Sequence, residues 1–469
     1  MAKADVFESV EANRERLVDL AEWIWDHPEL AFRETESSAK LQAALRDEGF
    51  DVESGVAGLD TAFVARYGED DPVVGTMGEF DALPGMSQKV GAEREPVEEG
   101  APGHGCGHNL FGVASLGGAI AVKRAIERGD VEGSVMYFGT PAEEAGAGKV
   151  FMVRAGAFDP VDALVSWHPG WYSAPGRESC LANDSFEFRF EGESSHAAAA
   201  PESGRSALDA VQLLNTGVEY MREHVVDEAR IHYVVHEGGE APNVVPAEAA
   251  VEYLVRAPER EQVERISDWI QEIAEGAALM TQTELDATKL GGMYGVLPNQ
   301  ALADAIRDNM ERLDGIEYSD EHRRLAEELR ESLGDVSGAL SQLPDDARAA
   351  AEGEAMFTDP IDPDEPGGVG SYSTDSGDVS WNVPLGRFTA ATWPVGTPAH
   401  SWQAVAASGS VGEEGALYAA KVIGSTLYDL LSDDDLRSAA RAEFERETAD
   451  FEYDSPLPDD ADPYEIAKR

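Results

Sequence analysis

Apolar strands alternate with helices in the first third of the chain, and this alternation limits the fold more than any other feature. Val73–Met77, Ser134–Gly139 and Ala163–Trp167 are short apolar runs of strand length. Between the first two lies the longer apolar run Leu110–Ala125, which is typical of a buried helix. Strands that alternate with helices form parallel-type sheets. We therefore predict an α/β fold with a parallel-type sheet and helices on both faces.

The pattern changes near Asn183. There the order strand, helix, strand, strand, helix indicates a compact α+β unit with an antiparallel sheet, and the α/β pattern resumes near Gly295. We therefore predict an α+β unit at 184–294, inserted into a domain made of 1–183 and 295–469. We also expect 314–370 to be an acidic surface excursion with a helix at 320–333, and the tail after Glu447 to be loosely held.

A cysteine and two histidines lie in the glycine-rich segment Gly103-His104-Gly105-Cys106-Gly107-His108-Asn109. Sulfur and imidazole nitrogen suit zinc and its first-row neighbours. Glycines allow the tight backbone that brings side chains two residues apart to one point. The helix predicted next would direct its positive end towards them. The segment is either a metal site, with His104 as an alternative ligand, or a glycine-rich turn with a chance Cys and His.

Other side chains with the chemistry of a site also follow predicted strands. These are Asp81, Glu143, Glu144, His168 and His400. Because ligand sites collect at the carboxyl ends of parallel strands, we expect one shared site. One glutamate could bind metal while the other acts as general base, and Asp81 could orient an imidazole. The alternatives are a solvated acidic pair, a turn aspartate and structural histidines.

The chain carries 91 acidic and 36 basic residues, a net charge of −55. Such a surface repels nucleic acid and anionic membranes, so neither is expected as a partner. The acids are spread along the whole chain and lysine is scarce, a pattern typical of adaptation to molar salt, where the Debye length falls to about 3 Å. An ordinary acidic protein of a low-salt organism is the alternative.

The sequence also carries information on membrane and secretion signals and on cysteine pairs. No apolar run reaches the roughly 18 residues of a membrane helix, and the charged N-terminus has no signal-peptide core. We therefore predict a cytoplasmic location. The two cysteines are Cys106 and Cys180, and because the first lies in the candidate metal cluster we expect no structural disulfide.

Taken together, these motifs resemble those of the aminoacylase and carboxypeptidase G superfamily of metallopeptidases and amidohydrolases, in its Cys-Gly-His branch. The resemblance covers nearly the whole chain in the family's motif order. It is carried best by HGCGHNLFGVASLGGAIAVK, HAAAAPESGRSALDAVQLLN, and DVSWNVP followed by GTPAHSW. It implies a two-metal α/β catalytic domain, an inserted dimerisation or lid domain at 184–294, and a homodimer, with a second subunit also possible.

The resemblance also implies roles for single residues. Glu143 matches the catalytic base, Asp81 the orienting aspartate, and His196 a histidine that reaches the substrate, in relatives often across the dimer. Asn243 and Arg256 match positions that hold the substrate's carboxylate or carbonyl. The metal ligands that it implies are Cys106, His108, Glu144, His168 and His400.

The implied reaction is metal-dependent hydrolysis of the amide bond of a small N-acyl amino acid similar to p-aminobenzoyl-glutamate. Up to two divalent ions, zinc or manganese, would bind each chain. A broader aminoacylase or dipeptidase, or a non-catalytic metal-binding partner subunit, are the alternatives. Two positions depart from the family pattern and bear on metal preference: Asn109 replaces the usual Asp, and Thr140 replaces the commoner Gln.

Overall fold

The computed structural model describes residues 2–313, 315–362 and 367–466. The strands are β1 (Asp51–Ser54), β2 (Phe63–Tyr67), β3 (Val73–Gly78), β4 (Ser134–Gly139), β5 (Ala163–Gly170), β6 (Ala174–Pro175), β7 (Ser179–Cys180), β8 (Ala182–Glu191), β9 (Arg230–Glu237), β10 (Glu248–Ala257), β11 (Glu284–Met293), β12 (Val369–Gly370) and β13 (Leu385–Ala391). The helices are α1 (Ala2–Glu11), α2 (Arg14–Asp26), α3 (Thr35–Asp47), α4 (His108–Arg128), α5 (Glu143–Gly146), α6 (Gly148–Arg154), α7 (Ala207–Met221), α8 (Arg260–Thr281), α9 (Gln300–Arg312), α10 (Asp320–Ser332), α11 (Ser337–Leu340), α12 (Asp345–Ala351), α13 (Ser376–Ser380), α14 (Trp402–Ser408), α15 (Gly412–Ser432), α16 (Asp434–Glu447) and α17 (Pro463–Ile466).

The central sheet has the strand order β1-β2-β4-β3-β5-β13-β6. Its middle strands β4, β3, β5 and β13 run parallel. Towards the two edges β1, β2 and β6 pair antiparallel. Every residue of β3 and β4 is buried, as expected when helices cover both faces of a parallel sheet. The predicted α/β fold with a parallel-type sheet is therefore confirmed, with antiparallel strands added at its edges.

Helices pack on both faces of this sheet. α4 is buried from His108 to Lys123, because it lies between the sheet and α15. An apolar helix surface on all sides is the expected sequence pattern for that position. On the other face α6 packs its apolar side chains against β4 and β5. The site residues at the carboxyl ends of the central strands thus stand on a rigid scaffold.

The strands β8 to β11 form a second, antiparallel sheet in the order β11-β8-β10-β9. α7 and α8 cover one face, and Phe188, Val211 and Ile270 are buried in the shared core. β11 is absent from the predicted strands, because its sequence is mostly polar and only its pairing with β8 makes it a strand. The boundaries of the unit, 184–294, stay a prediction.

Two expectations about the second half need correction. Within 315–362 the predicted helix is present as α10, but the stretch is more than a surface excursion, since Leu329, Leu340 and Phe357 are buried in a cluster with Trp393. Residues 314 and 363–366 of the predicted excursion lie outside the described residues. The expectation of a loosely held tail after Glu447 is wrong for residues 448–466. There Leu457 is buried and the Tyr453 hydroxyl donates to Asp378 Oδ1 at 2.8 Å. Apolar and aromatic side chains within the acidic tail hold it to the core.

Both cysteines, Cys106 and Cys180, are buried and free. Across 2–313, 315–362 and 367–466, none of the helices combines the length and the apolar character that a bilayer crossing requires.

Candidate metal centre

The backbone at Gly107 sets the positions of Cys106 and His108. Gly107 has a φ of 73° and directly precedes α4. A Cβ there would lie 2.9 Å from Pro169 Cβ, so both the left-handed backbone and the close packing require glycine. Nearby, the His400 amide donates to the Gly105 carbonyl at 2.9 Å. This bond joins the glycine-rich segment to a residue from the far end of the chain.

The structure brings together all five ligands that the resemblance implies. The donor atoms of Cys106, His108 and His168 lie within 4.8 Å of one another, as do those of Cys106, Glu144 and His400. Cys106 Sγ is 3.4 Å from His168 Nε2, and His400 Nε2 is 3.2 Å from Glu144 Oε2. Because Cys106 belongs to both groups, they form one continuous donor set. The His400 side chain is 53% exposed, so the set opens to solvent on that side.

A third group of donors adds Glu79, which the sequence analysis missed. Donor atoms of Glu79, His108 and Glu143 also lie within 4.8 Å of one another. Glu79 Oε2 is 3.0 Å from His108 Nε2, and Glu79 Oε1 is 2.6 Å from Lys149 Nζ. The position of Glu79 directly after β3, like that of Asp81, is the sequence signal that could have found it.

Asp81 holds the ring of His108. Asp81 Oδ1 is 2.7 Å from His108 Nδ1, and Asp81 Oδ2 accepts from the Glu144 amide at 2.9 Å. Burial opposes charge on the ring, but Asp81 and Glu79 outweigh it and raise the pKa of His108 well above its usual value. Burial would raise the pKa of Asp81, yet His108 outweighs it and the pKa is lowered. These carboxylates favour positive charge at this point, as a cation site requires.

Burial controls the protonation of the other donors. It raises the pKa of Glu143 well above its usual value, with Glu79 and Glu144 adding to the effect. It also raises the pKa of the Cys106 thiol and lowers the pKa of His168 to about 3. His168 is therefore neutral, the form in which imidazole binds metals. Binding through Cys106 would release the thiol proton.

Two residues of the site have a left-handed backbone although they are not glycine. Ala142, just before Glu143, and His400 both have a φ of 60°. Such conformations are uncommon and occur often at functional sites. The buried Glu34 holds the first of them, since its Oε1 accepts from the Ala142 amide at 2.9 Å. No motif in the sequence marked Glu34.

Among the described residues Glu144 Oε1 is a buried atom of the donor set with no hydrogen-bond partner, while His108 Nε2 and Glu79 Oε2 contact each other at 3.0 Å. Most buried polar atoms in proteins have a hydrogen-bond partner. Thiol, imidazole and carboxylate together are the ligands of zinc and its neighbours. The residues therefore fit a divalent metal ion.

The implied substrate-binding residues lie in the predicted α+β unit. His196 Nδ1 accepts from the Ala198 and Ala199 amides, each at 3.2 Å, and Asn243 lies on the neighbouring loop. Arg256 lies on β10, and its buried Nε has no hydrogen-bond partner. Within the described part of the chain, no hydrogen bond or ion pair connects His196, Asn243 or Arg256 to the metal donors.

Two further positions of the glycine-rich segment have structural roles. His104, considered as an alternative ligand, belongs to none of the three donor groups, and its Nε2 faces the Ile24 carbonyl at 3.1 Å. Asn109 Nδ2 donates to the Ser408 and Ala21 carbonyls at 2.9 and 3.3 Å. A carboxylate could not donate these bonds, so the departure from the usual aspartate has a packing reason.

Comparison with known proteins gives the family. Residues 183–280 match the M20 peptidase dimerisation domain. Over 470 residues the chain is 39% identical to one of the p-aminobenzoyl-glutamate hydrolase subunits of Escherichia coli (strain K12), a match that covers 97% of each chain. The chain belongs to the M20 peptidase family. This M20 peptidase is thus a hydrolase acting on amide bonds, which confirms the resemblance and the enzyme class predicted from the sequence.

Two other M20 relatives illustrate the range of the family. An Xaa-Arg dipeptidase of Mus musculus is 30% identical over 334 residues, which are 68% of this chain and 73% of the dipeptidase. A solved structure from Bacillus subtilis, described as a dinuclear metal binding peptidase from the M20 family, matches with a TM-score of 0.60 at 18% identity. It covers 90% of this chain and 99% of the other, and it shows that the fold is the same.

Proposed function

We propose that this chain hydrolyses the amide bond of p-aminobenzoyl-glutamate or a closely related N-acyl amino acid. The observation that carries the proposal is the position of Glu143, a half-buried residue at the edge of a thiol, imidazole and carboxylate donor set. The substrate is proposed from the relative that is 39% identical over nearly the full length of both chains.

The residues proposed to hold up to two divalent ions, zinc or manganese, are Cys106, His108, Glu144, His168 and His400. Bound ions of this kind polarise a carbonyl group and lower the pKa of nearby water. Asp81 fixes His108 through Nδ1, which leaves Nε2 directed at Glu79 and Glu143.

Glu143 is the proposed general base. One of its carboxylate oxygens takes a proton from the attacking water and then gives it to the leaving amine nitrogen. Burial and the neighbouring carboxylates raise its pKa, and a raised pKa makes a carboxylate a stronger base. His196 would donate to the developing oxyanion, a contact typically worth about 3 kcal/mol. Arg256 would bind a substrate carboxylate through two N–H groups, and Asn243 would hold the carboxylate or carbonyl beside it.

We propose that the unit at 184–294 forms a homodimer and supplies His196 and Arg256 to the partner's site. The match to a dimerisation domain supports this, as does the lack of any hydrogen bond or ion pair, among the described residues, between these residues and the donors of their own chain. Mixing His196→Ala chains with Glu143→Gln chains should then restore part of the activity. If subunits exchange and no activity returns, His196 acts within its own chain or has no role.

A substrate panel tests the function itself. Purified protein, loaded with zinc or with manganese in high salt, is assayed with p-aminobenzoyl-glutamate, N-acetyl amino acids and Xaa-Arg dipeptides. We expect release of p-aminobenzoate to be fastest. Faster cleavage of dipeptides would transfer the assignment to a dipeptidase, which the Xaa-Arg dipeptidase relative makes the second candidate. No hydrolysis by fully loaded protein would favour a partner subunit that needs another chain.

A further inference from the structure

Arg387 lies on the same face of the central sheet as His168. It belongs to β13, which runs parallel to β5, and the register places Arg387 beside Ser166 and Thr389 beside His168. Residues two apart on a strand face the same side, so these four side chains share one face. The opposite face holds Trp167 and Phe388, whose rings stack at 6.2 Å in the core beneath α4 and α15.

Among the described residues no carboxylate forms an ion pair with the guanidinium of Arg387, although its charge opposes the rise that burial causes in the pKa of Glu178. Its Nη1 donates to the Tyr372 hydroxyl at 3.4 Å, and its Cζ lies 5.8 Å from the centre of that ring. Two other shielded arginines are paired, since Arg177 meets Asp304 and Asp362 and Arg260 meets Asp184. Arg387 differs from them, and the N–H groups that do not contact Tyr372 are available to a ligand.

The segment that contacts Arg387 also reaches the metal centre. Tyr372 stands three residues before Asp375, whose Oδ1 is 2.6 Å from Lys149 Nζ. The same Nζ binds Glu79, the carboxylate in contact with His108. After burial and His108, the charge of Arg387 contributes to the lowered pKa of His168. This segment and Lys149 thus link Arg387 to Glu79 and His108, and the charge of Glu79 also acts on Arg387.

We infer that Arg387 binds a second substrate carboxylate, so that the chain selects N-acyl derivatives of dicarboxylic amino acids. The inference rests on the proposed function, in which Arg256 takes the first carboxylate. Two guanidinium groups that form no ion pair with any described residue, one on β10 and one on β13, match a ligand with two carboxylates. Each can form the paired N–H···O contacts that make guanidinium a specific carboxylate ligand.

Binding to a hydrolysis-deficient background tests this inference. In Glu143→Gln protein, calorimetry compares p-aminobenzoyl-glutamate with p-aminobenzoyl-glutamine, which lacks the side-chain carboxylate. The glutamate ligand should bind more tightly, and adding Arg387→Met should weaken it about 10- to 100-fold while the glutamine ligand changes little. Arg387→Lys should retain part of the preference. Arg66→Met removes a half-buried arginine of the same sheet from β2 and should leave both affinities unchanged.

Equal affinity for the two ligands in the background protein would overturn the inference, as would an unchanged preference in Arg387→Met. The first criterion needs no substitution at Arg387, so it stands even if Arg387→Met does not fold. If parent protein binds p-aminobenzoyl-glutamate through Arg387 without cleaving it, the proposed function fails and the inference holds. If the parent protein cleaves p-aminobenzoyl-glutamate but the Glu143→Gln protein binds the glutamate and glutamine ligands equally, the inference fails and the proposed function holds.

Discussion

Lys149 and Glu79 form a fully buried ion pair beside the candidate metal centre, with Lys149 Nζ 2.6 Å from Glu79 Oε1. Asp375 Oδ1 lies 2.6 Å from the same Nζ, and the Lys149 amide donates to Asp375 Oδ2 at 2.9 Å. One cation between two carboxylates holds Glu79 against His108. Burial opposes charge on Lys149, but Asp375 and Glu79 outweigh it and raise the pKa of Lys149.

Replacing Lys149 with methionine should therefore destabilise the fold strongly. Two buried carboxylates would lose their cation, and breaking a buried pair typically costs about 3–5 kcal/mol. Denaturant unfolding measures the loss. Lys89→Met is the control, because its pair with Glu95 is exposed and such pairs contribute about 1 kcal/mol or less. Equal stability of the two variants would contradict a central role for the buried pair.

The sequence pointed to five candidate donors that the structure brings together, but not to Glu79 or to the residues that hold it. Cys106, His108 and His168 were predictable because each stands in a glycine-rich motif or at the end of an apolar strand. Lys149 and Asp375 were not, because neither belongs to a motif and their meeting depends on how a distant segment packs on α6. Long-range contacts of this kind leave no periodic pattern in the chain.

The fold too was predictable only in part, for reasons of burial and long-range contact. The central strands were predictable because burial on both faces makes them continuous apolar runs. β11 was missed because most of its residues are exposed or half-buried and carry no alternation. The expectation of a loosely held tail was wrong because the tail is acidic overall, and the burial of Tyr453 and Leu457 depends on partners elsewhere in the chain.

Asp378 should make stability depend on pH. It is fully buried, and burial raises its pKa to about 7 although Tyr453 and the Tyr294 amide donate to it at 2.8 and 3.0 Å. Because this pKa lies above the unfolded value of about 3.9, the folded state binds the proton more tightly. The contribution of protonated Asp378 to the free energy of unfolding is complete below about pH 4 and is lost as pH rises through about 7.

Asp378→Asn keeps the shape without the charge and should abolish this loss, which is on the order of 4 kcal/mol at pH 8. Unfolding free energies between pH 4 and 8 for parent and variant measure the difference. Asp454→Asn, an exposed neighbour in the tail, should keep the parent's pH dependence. If Asp378→Asn also keeps it, the carboxyl group is ionised in the folded protein throughout this range.

Metal content should depend on the glycine-rich segment. Elemental analysis of reconstituted protein should show up to two divalent ions per chain, largely lost in Cys106→Ala and in His108→Ala, because each substitution removes a donor shared by two groups. Cys180→Ala removes the other buried cysteine and should keep its metal. Full metal content in both donor variants would show that the ligands are elsewhere.

Salt should stabilise the protein. With a net charge of −55, many carboxylates face each other across distances near the Debye length of about 10 Å at 0.1 M salt. Each exposed pair costs only tenths of a kcal/mol, but dozens together rival the usual 5–15 kcal/mol of net stability. Melting temperature should rise from about 0.1 to 3 M KCl as the Debye length shortens. A flat or falling curve would contradict adaptation to molar salt and leave the hydrolase assignment intact.

The central claim is that Glu143 moves the proton in amide hydrolysis, and Glu143→Gln tests it most directly. The variant should keep its fold, its metal content and its affinity for p-aminobenzoyl-glutamate, because Glu143 is not among the proposed metal ligands. Glu144→Gln is the matched comparison and should instead lose metal. We predict that turnover of Glu143→Gln falls about 10²- to 10⁴-fold, since an amide cannot accept the proton. Near-normal turnover with full metal content would contradict the account.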